Sequence, residues 1–327
     1  MTYLMVAGGL ILLLVGGDVL VRGAVSLAQC VGLPPLLIGL TVVAFGTSSP
    51  ELVVSVNAAL AGVPEIAIGN VVGSNIANIL LVLGLPATIF PIAFGPGSLR
   101  RDTVVMLLAS IGFVLLALSG EILRWQGLAM LALLIGFLVW CYRSARRRGY
   151  EDEGAVIGGS LDEISGRPRG IWFAVAFIAL GLVGLVLGAH LLVEGAVAIA
   201  AAAGVSKAVI GLTVVALGTS LPELATSLVA AVRRQGDVAI GNVVGSNLFN
   251  ILGIMGITAI VTPVPVPAEF IGFDFWVMLA ATFLLLGFAA RGRAIGRVTG
   301  GLLSAAYCAY VFALFAGVSE MTDMASL

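Results

Sequence analysis

The sequence predicts an all-α polytopic membrane protein: ten transmembrane helices forming two inverted five-helix repeats, with broken helices at the bilayer midplane. Three observations predict it. Of 327 residues, 60% are hydrophobic and only 10% charged, against roughly 25% charged in soluble chains. The arginines gather in alternate loops. The chain also matches itself without a gap when shifted by 172 residues, which lays Thr41 on Thr213.

A helix crosses the hydrocarbon core with about 20 apolar residues. Such runs occupy 3–21, 36–60, 66–90, 103–119, 126–142, 171–192, 208–232, 238–261, 274–290 and 299–317. The first, in "MTYLMVAGGLILLLVGG", has no basic segment before it, so it reads as a permanent span and not as a cleaved signal. The one substantial polar stretch, 143–170, is charged and glycine-rich and reads as a linker between residues 1–142 and 171–327. With that loop in the cytoplasm, its six arginines are joined on the same side by Arg22, Arg100, Arg101, Arg233, Arg234, Arg291, Arg293 and Arg297. The opposite side holds only Arg124 and Lys207. Basic residues concentrate on the cytoplasmic face, so this split supports ten spans and puts both termini outside the cytoplasm.

The self-match is strongest in two places. "TVVAFGTSSPEL" (41–52) lies on "TVVALGTSLPEL" (213–224), and "AIGNVVGSNIANIL" (67–80) lies on "AIGNVVGSNLFNIL" (239–252). Gly23 also falls on Gly195, Pro91 on Pro263 and Asp102 on Asp274. Each half has an odd number of spans, so the second enters the membrane upside down. Inverted repeats are a signature of secondary transporters, whose binding site lies near the midplane at helices broken in corresponding positions.

The chemistry sits in "GTSSPEL" (46–52) and "GTSLPEL" (218–224). A proline within a helix removes a hydrogen bond, and a glutamate in hydrocarbon is costly. Freed backbone is tolerated in a membrane only where it is buried in protein or lines a wet cavity. Carbonyls near Gly46 and Thr47, and near Gly218 and Thr219, therefore join the Thr47, Ser48, Thr219 and Ser220 hydroxyls and one carboxylate from each half, Glu51 and Glu223. Such hard oxygens suit a cation like Ca²⁺, which takes about 6–8 of them. The next spans add Ser74 with Asn78 and Ser246 with Asn250, each pair four residues apart on one helix face. One divalent cation, or several monovalent ones, neutralises both carboxylates. The loaded site can then move while the bare dianion moves poorly, which gives exchange instead of leak. Asn70, Asn242, Asn75 and Asn247 read either as helix–helix hydrogen bonds or as ligand or gating groups.

At these residues the chain resembles the sodium/calcium exchanger membrane protein family of the Ca²⁺/cation antiporter superfamily, in its prokaryotic form. Residues 41–80 and 213–252 look like that family's alpha-1 and alpha-2 repeats. The resemblance implies Na⁺/Ca²⁺ exchange by alternating access, with Ca²⁺ and Na⁺ as transported ions, no cofactor and no enzymatic activity. It implies ligands from the Ala44 carbonyl, Thr47, Ser48, Glu51, Ser74 and Asn78 in the first half. From the second come the Ala216 carbonyl, Thr219, Ser220, Glu223, Ser246 and Asn250. It also implies that the first and sixth spans slide as a gate.

Residue 250 is Asn where many relatives, including the potassium-dependent exchangers, carry Asp, so the site has one charge fewer, which argues against K⁺ co-transport. Ser49 stands where Leu is usual. "GNVVGSN" lacks the Glu and His of the proton/calcium branch, which favours Na⁺ as counter-ion. Exchange of H⁺ for Ca²⁺ or another divalent cation on the same scaffold is the alternative. A channel fits less well, because filters commonly use rings from several subunits and this ligand set is complete in one chain. An intramembrane hydrolase would need His190 within hydrogen-bond reach of a motif serine. The expected setting is the plasma membrane, with the bilayer and the ions as partners, no nucleic acid, and a monomer sufficient.

Other polar residues receive simpler readings. His190 and Glu194 occupy the repeat positions of Asp18 and Arg22, each pair on one helix face near a span end. Asp102 and Asp274 are expected to cap the fourth and ninth spans. Trp125, Trp140, Trp172 and Trp276 read as interfacial belt residues. Cys30, Cys141 and Cys308 are too dispersed for a disulfide or zinc framework and read as small core residues.

Overall fold

The computed structural model describes residues 2–93, 98–148, 170–202, 216–292 and 294–325. Helix α1 (Thr2–Val31) ends where Gly32 takes φ +64, and Pro35 opens α2 (Pro35–Thr47). Helix α3 (Ser49–Leu60) follows at a bend of 45°. The bend has a local cause: Pro50 lies in the first turn of α3, where no backbone N–H is required, and so forces α2 to stop before it. After Gly62 (φ +75), Pro64 starts α4 (Pro64–Ile89). The first half closes with α5 (Ser98–Ala117), β1 (Glu121–Ile122) and α6 (Arg124–Arg148). The second contains α7 (Ile171–Ala202), α8 (Ala216–Gly218), α9 (Leu221–Val232), α10 (Gly236–Val261), β2 (Val264–Pro265), α11 (Ala268–Gly272), α12 (Asp274–Arg291) and α13 (Arg297–Ala325).

Among the described residues seven helices are long and apolar enough to cross a membrane, or eight if the bent pair α2–α3 is one span. Their outer faces carry large apolar side chains, including Ile11 and Val15 on α1, Leu128 and Leu133 on α6, Leu180 and Val183 on α7, and Leu302 and Phe312 on α13. A soluble surface rarely presents apolar patches of that extent; a multi-pass membrane protein turns them to lipid. All four tryptophans are exposed on this outer surface. Two helices form the interior: 72% of the most apolar stretch of α4 and 89% of that of α10 is buried, against 39% or less in the other five.

Two helix pairs approach backbone to backbone. Helix α1 runs antiparallel to α7: a methyl group at Gly9 would lie 2.8 Å from Gly188 O, and one at Gly16 would lie 3.0 Å from Gly181 O. Glycine spaced along both faces permits that approach in a membrane, where packing replaces the hydrophobic effect as the driving force. Helix α2 lies as closely on α10, where a methyl group at Gly241 would sit 2.5 Å from Leu36 O. Two short antiparallel links tie helix ends together. In β1–β2, Glu121 faces Pro265 and Ile122 faces Val264, and Ile92 bridges to Ile295.

Several expectations change. Helix α6 continues to Arg148, into the stretch read as linker; residues 149–169, the rest of that loop apart from Gly170, lie outside the described residues, as do Lys207 and Arg293. Asp102 does not open its helix: it lies inside α5, buried, and accepts the Arg101 Nε–H at 2.7 Å. Asp274 is the first residue of α12, but Phe273 holds the cap position without a side-chain bond, and the Asp274 carboxylate accepts the Tyr310 hydroxyl at 2.7 Å. In both cases a buried carboxylate takes a side-chain donor. Of the cysteines only Cys141 is a core residue; Cys30 is half-buried and Cys308 exposed.

Candidate cation-binding site

The site forms where two breaks meet. Ser48 (φ −86, ψ 8) and Ser220 (φ −87, ψ 3) adopt the same bridge-region backbone, each directly before a helix with proline in its first turn. That geometry places Glu51 and Glu223 in the first turns of α3 and α9, where both are buried to 1% exposure. Three π-helical turns surround them, at Gly39–Val43 in α2, Asn78–Val82 in α4 and Phe249–Ile254 in α10. Each adds a residue to its turn, a device frequent at functional sites. Asn78 and Asn250 lie at the start of two of these turns.

Hydrogen bonds join the two halves. Ser48 Oγ donates to Glu223 Oε1 at 2.8 Å. Thr47 Oγ1 lies 3.1 Å from Asn242 Oδ1 and 3.4 Å from Ala44 O, and donates to one or the other. Asn78 Nδ2 donates to Asn247 Oδ1 at 3.0 Å, and Asn250 Nδ2 to Asn75 Oδ1 at 3.3 Å. Two further asparagines hold the broken helices in equivalent ways. Asn70 Nδ2 reaches Glu51 O (3.1 Å) and Ser55 Oγ (2.9 Å), and Asn242 Nδ2 reaches Glu223 O (3.5 Å) and Ser227 Oγ (3.3 Å). Glu51 lies within electrostatic reach of Glu223.

Oxygens are left over. Among the described residues, six buried side-chain oxygens have no hydrogen-bond partner. Five belong to the repeated motifs: Glu51 Oε2, Glu223 Oε2, Asn78 Oδ1, Asn250 Oδ1 and Ser246 Oγ. Buried polar atoms are nearly always paired, so five orphans on four neighbouring helices mark a place where an electropositive partner fits. The donor set is oxygen only, with two carboxylates; no group of three or more His, Cys, Asp or Glu placed to hold a metal occurs among the described residues.

Of the residues picked out in the sequence, Ala44, Thr47, Ser48, Glu51, Ser74, Asn78, Ser220, Glu223, Ser246 and Asn250 are all buried here, and Thr219 is partly buried. Ala216 opens α8; residues 213–215 of the second motif lie outside the described residues. Ser49 turns away, donating to Phe45 O at the end of α2 at 2.8 Å. His190 is exposed and lies 3.6 Å from Glu194, so it faces its own helix neighbour and no motif serine. Its repeat counterpart differs: Asp18 pairs with Arg22 at 2.9 Å and also with Arg233 at the end of α9. Ser55 and Ser227 were not singled out, although the repeat offered the signal, since both are serine four residues after the motif glutamate.

Comparison with known proteins follows this geometry. A profile described as sodium/calcium exchanger protein matches residues 1–143 and 173–316. The chain is 39% identical to the putative antiporter CaxA of Alkalimonas amylolytica, over 94% of this chain and 96% of that one. It is 32% identical to the sodium/calcium exchanger MaX1 of Methanosarcina acetivorans, over 96% and 98%. A solved structure of the sodium-calcium exchanger NCX_Mj, soaked with zero Na⁺ and Ca²⁺, superposes with a TM-score of 0.82 at 34% identity, covering 96% of this chain and 98% of that one. The chain belongs to the sodium/calcium exchanger protein family.

Proposed function

We propose, from that membership, that this protein exchanges Ca²⁺ for Na⁺ across the plasma membrane by alternating access, with Glu51 and Glu223 as the central charged ligands. The observation that carries the reading is the set of five unpartnered buried oxygens on α3, α4, α9 and α10. Buried acceptors without donors are costly unless a cation supplies the missing partner. Thr47, Ser48, Ser74, Thr219, Ser220 and the carbonyls of Ala44 and Ala216 complete the proposed shell. Its hardness favours Ca²⁺ and Na⁺ over softer metals. One Ca²⁺ or two Na⁺ balance the two carboxylates. The empty dianion would carry uncompensated charge through an apolar barrier, so return of the site requires a load. Relatives named as sodium–calcium exchangers support the same pair of ions.

In this reading residues 1–142 and 171–327 are inverted five-span repeats, 143–170 is a cytoplasmic loop, and both termini face outward. Among the described residues eight spans are long and apolar enough when α2–α3 counts as one. Helix α5 escapes that count because Arg100, Arg101 and Asp102 crowd its first turns, and α9 carries only part of the 208–232 apolar run, of which residues 208–215 lie outside the described residues. Adding both gives ten. The antiparallel course of α1 and α7, which the repeat makes equivalent, supports inversion. The matching bonds made by Asn70 and Asn242 support the equivalence of the two halves. A single chain supplies every proposed ligand.

The test is uptake of radiolabelled Ca²⁺ by proteoliposomes loaded with Na⁺ and diluted into Na⁺-free buffer at equal pH. The expected uptake needs internal Na⁺ and disappears in Glu51→Gln and in Glu223→Gln. Uptake that ignores Na⁺ and follows an imposed pH gradient would overturn the choice of counter-ion. Uptake without any counter-ion would mean a channel.

A further inference from the structure

We infer that Asn75 and Asn247 are positioning residues that fix which end of the amides of Asn250 and Asn78 faces the cation. The inference rests on the cation-site reading above. An asparagine presents an acceptor on one side and two donors on the other. Only the oxygen can ligate a cation, and the NH₂ group would repel it. Some other group must therefore decide the orientation.

The geometry supplies it across the two halves. Asn78 Nδ2 is held by Asn247 Oδ1 at 3.0 Å, and Asn250 Nδ2 by Asn75 Oδ1 at 3.3 Å. Positions 75 and 247, like 78 and 250, are equivalent under the 172-residue shift, so each half orients the other's amide. What remains unbonded on the two outer asparagines is Asn78 Oδ1 and Asn250 Oδ1, both buried. All four side chains are 1% exposed, so water does not compete for these bonds.

The orientation is anchored, not arbitrary. Reversing Asn78 alone would set its oxygen against Asn247 Oδ1, acceptor against acceptor. Reversing Asn247 as well would set Asn247 Oδ1 against the backbone carbonyl of Asn75, which its Nδ2 now meets at 3.4 Å. A backbone carbonyl cannot turn over, so the chain of bonds has one satisfactory direction. Asn75 has a softer anchor, since its Nδ2 lies 3.8 Å from Met278 Sδ, a weak acceptor. Asn247 is therefore the stronger positioning residue of the two.

An aspartate at position 78 would offer oxygen on both sides and need no orientation. The experiment compares Asn247→Leu with and without Asn78→Asp, reading Ca²⁺ affinity of the purified full chain by calorimetry and folding by the melting temperature in Ca²⁺-free detergent. The expected result is a loss of at least tenfold in Ca²⁺ affinity for Asn247→Leu alone, shrinking to under threefold in the Asn78→Asp background. An equal loss in both backgrounds would overturn the inference, making Asn247 a packing residue while leaving the cation site intact. Wild-type protein that binds neither Ca²⁺ nor Na⁺ would overturn the site reading and the inference with it. If Asn247→Leu does not fold, Asn75→Leu with and without Asn250→Asp reads the equivalent position by the same criteria.

Discussion

Substituting Gly245 by alanine tests how the proposed site is held together. Gly245 lies in α10 directly before Ser246, facing α2. A methyl group there would meet Leu40 O and lie 2.7 Å from both Leu40 Cα and Ala44 Cβ. Carbon atoms rest at about 3.5–4.0 Å, so α2 and α10 must part by about 1 Å. Neither side can yield by turning a rotamer, because the obstacles are backbone and a Cβ. Helix α2 ends at Thr47 and leads into Ser48. The same shift would stretch the Thr47–Asn242 contact from 3.1 Å and the Ser48–Glu223 bond from 2.8 Å to about 4 Å, beyond hydrogen-bond range. Overpacking of this kind costs about 1–3 kcal/mol. If the strain falls on the site, the half-saturating Ca²⁺ concentration rises roughly 5- to 100-fold, at about 1.4 kcal/mol per factor of ten. The assay is Na⁺-driven Ca²⁺ uptake into proteoliposomes over a Ca²⁺ series, with the melting temperature measured on the same preparation. Gly136→Ala, on an exposed face of α6 with nothing near its added methyl, is the control and should behave as wild type. Wild-type affinity and melting temperature in Gly245→Ala would refute the claim that direct α2–α10 backbone contact sets the ligand geometry.

Ser48→Ala removes the 2.8 Å hydrogen bond to Glu223 Oε1, a hydrogen bond to a charged group worth about 1.5–3 kcal/mol. Ca²⁺ affinity should fall at least tenfold in calorimetry, and an unchanged affinity would show that Ser48 contributes neither a bond nor a ligand. Asn242→Leu leaves the buried Ser227 hydroxyl and the Glu223 carbonyl without the Asn242 donor, at about 1–3 kcal/mol for each group left unpaired. Its melting temperature should drop by several degrees, and an unshifted melt would contradict the assignment of Asn242 as a brace for the broken helix. Gly188→Ala places a methyl 2.8 Å from Leu13 N and 2.9 Å from Gly9 O, so α1 must lift from α7 at about 1–3 kcal/mol. A cysteine pair introduced across that interface should crosslink more slowly in this variant than in wild type, and an equal rate would mean the helices are not in close register.

The multi-pass helical character, the repeat within the sequence and the glutamate pair were all legible in the chain. Their signals are local: a proline and a glutamate recurring in apolar runs 172 residues apart declare that the expense serves one place. Residue type and spacing also picked out Ser74 with Asn78 and Ser246 with Asn250, because helical periodicity alone puts each pair on one face. Other features depended on contacts that only the folded chain shows. The buried Asp102 and Asp274 looked like caps until Arg101 and Tyr310 were seen to hold them. The glycines of α1 and α7 read as generic packing residues until the two backbones met. The asparagines show the limit most clearly. A sequence states that an amide is present but not which way it faces, since oxygen and nitrogen differ only in what lies opposite. Asn78 faces Asn247 and Asn250 faces Asn75 across the junction of the two halves. Only the tertiary structure, by pairing donors with acceptors 169 and 175 residues apart, decides which oxygens are left without a partner.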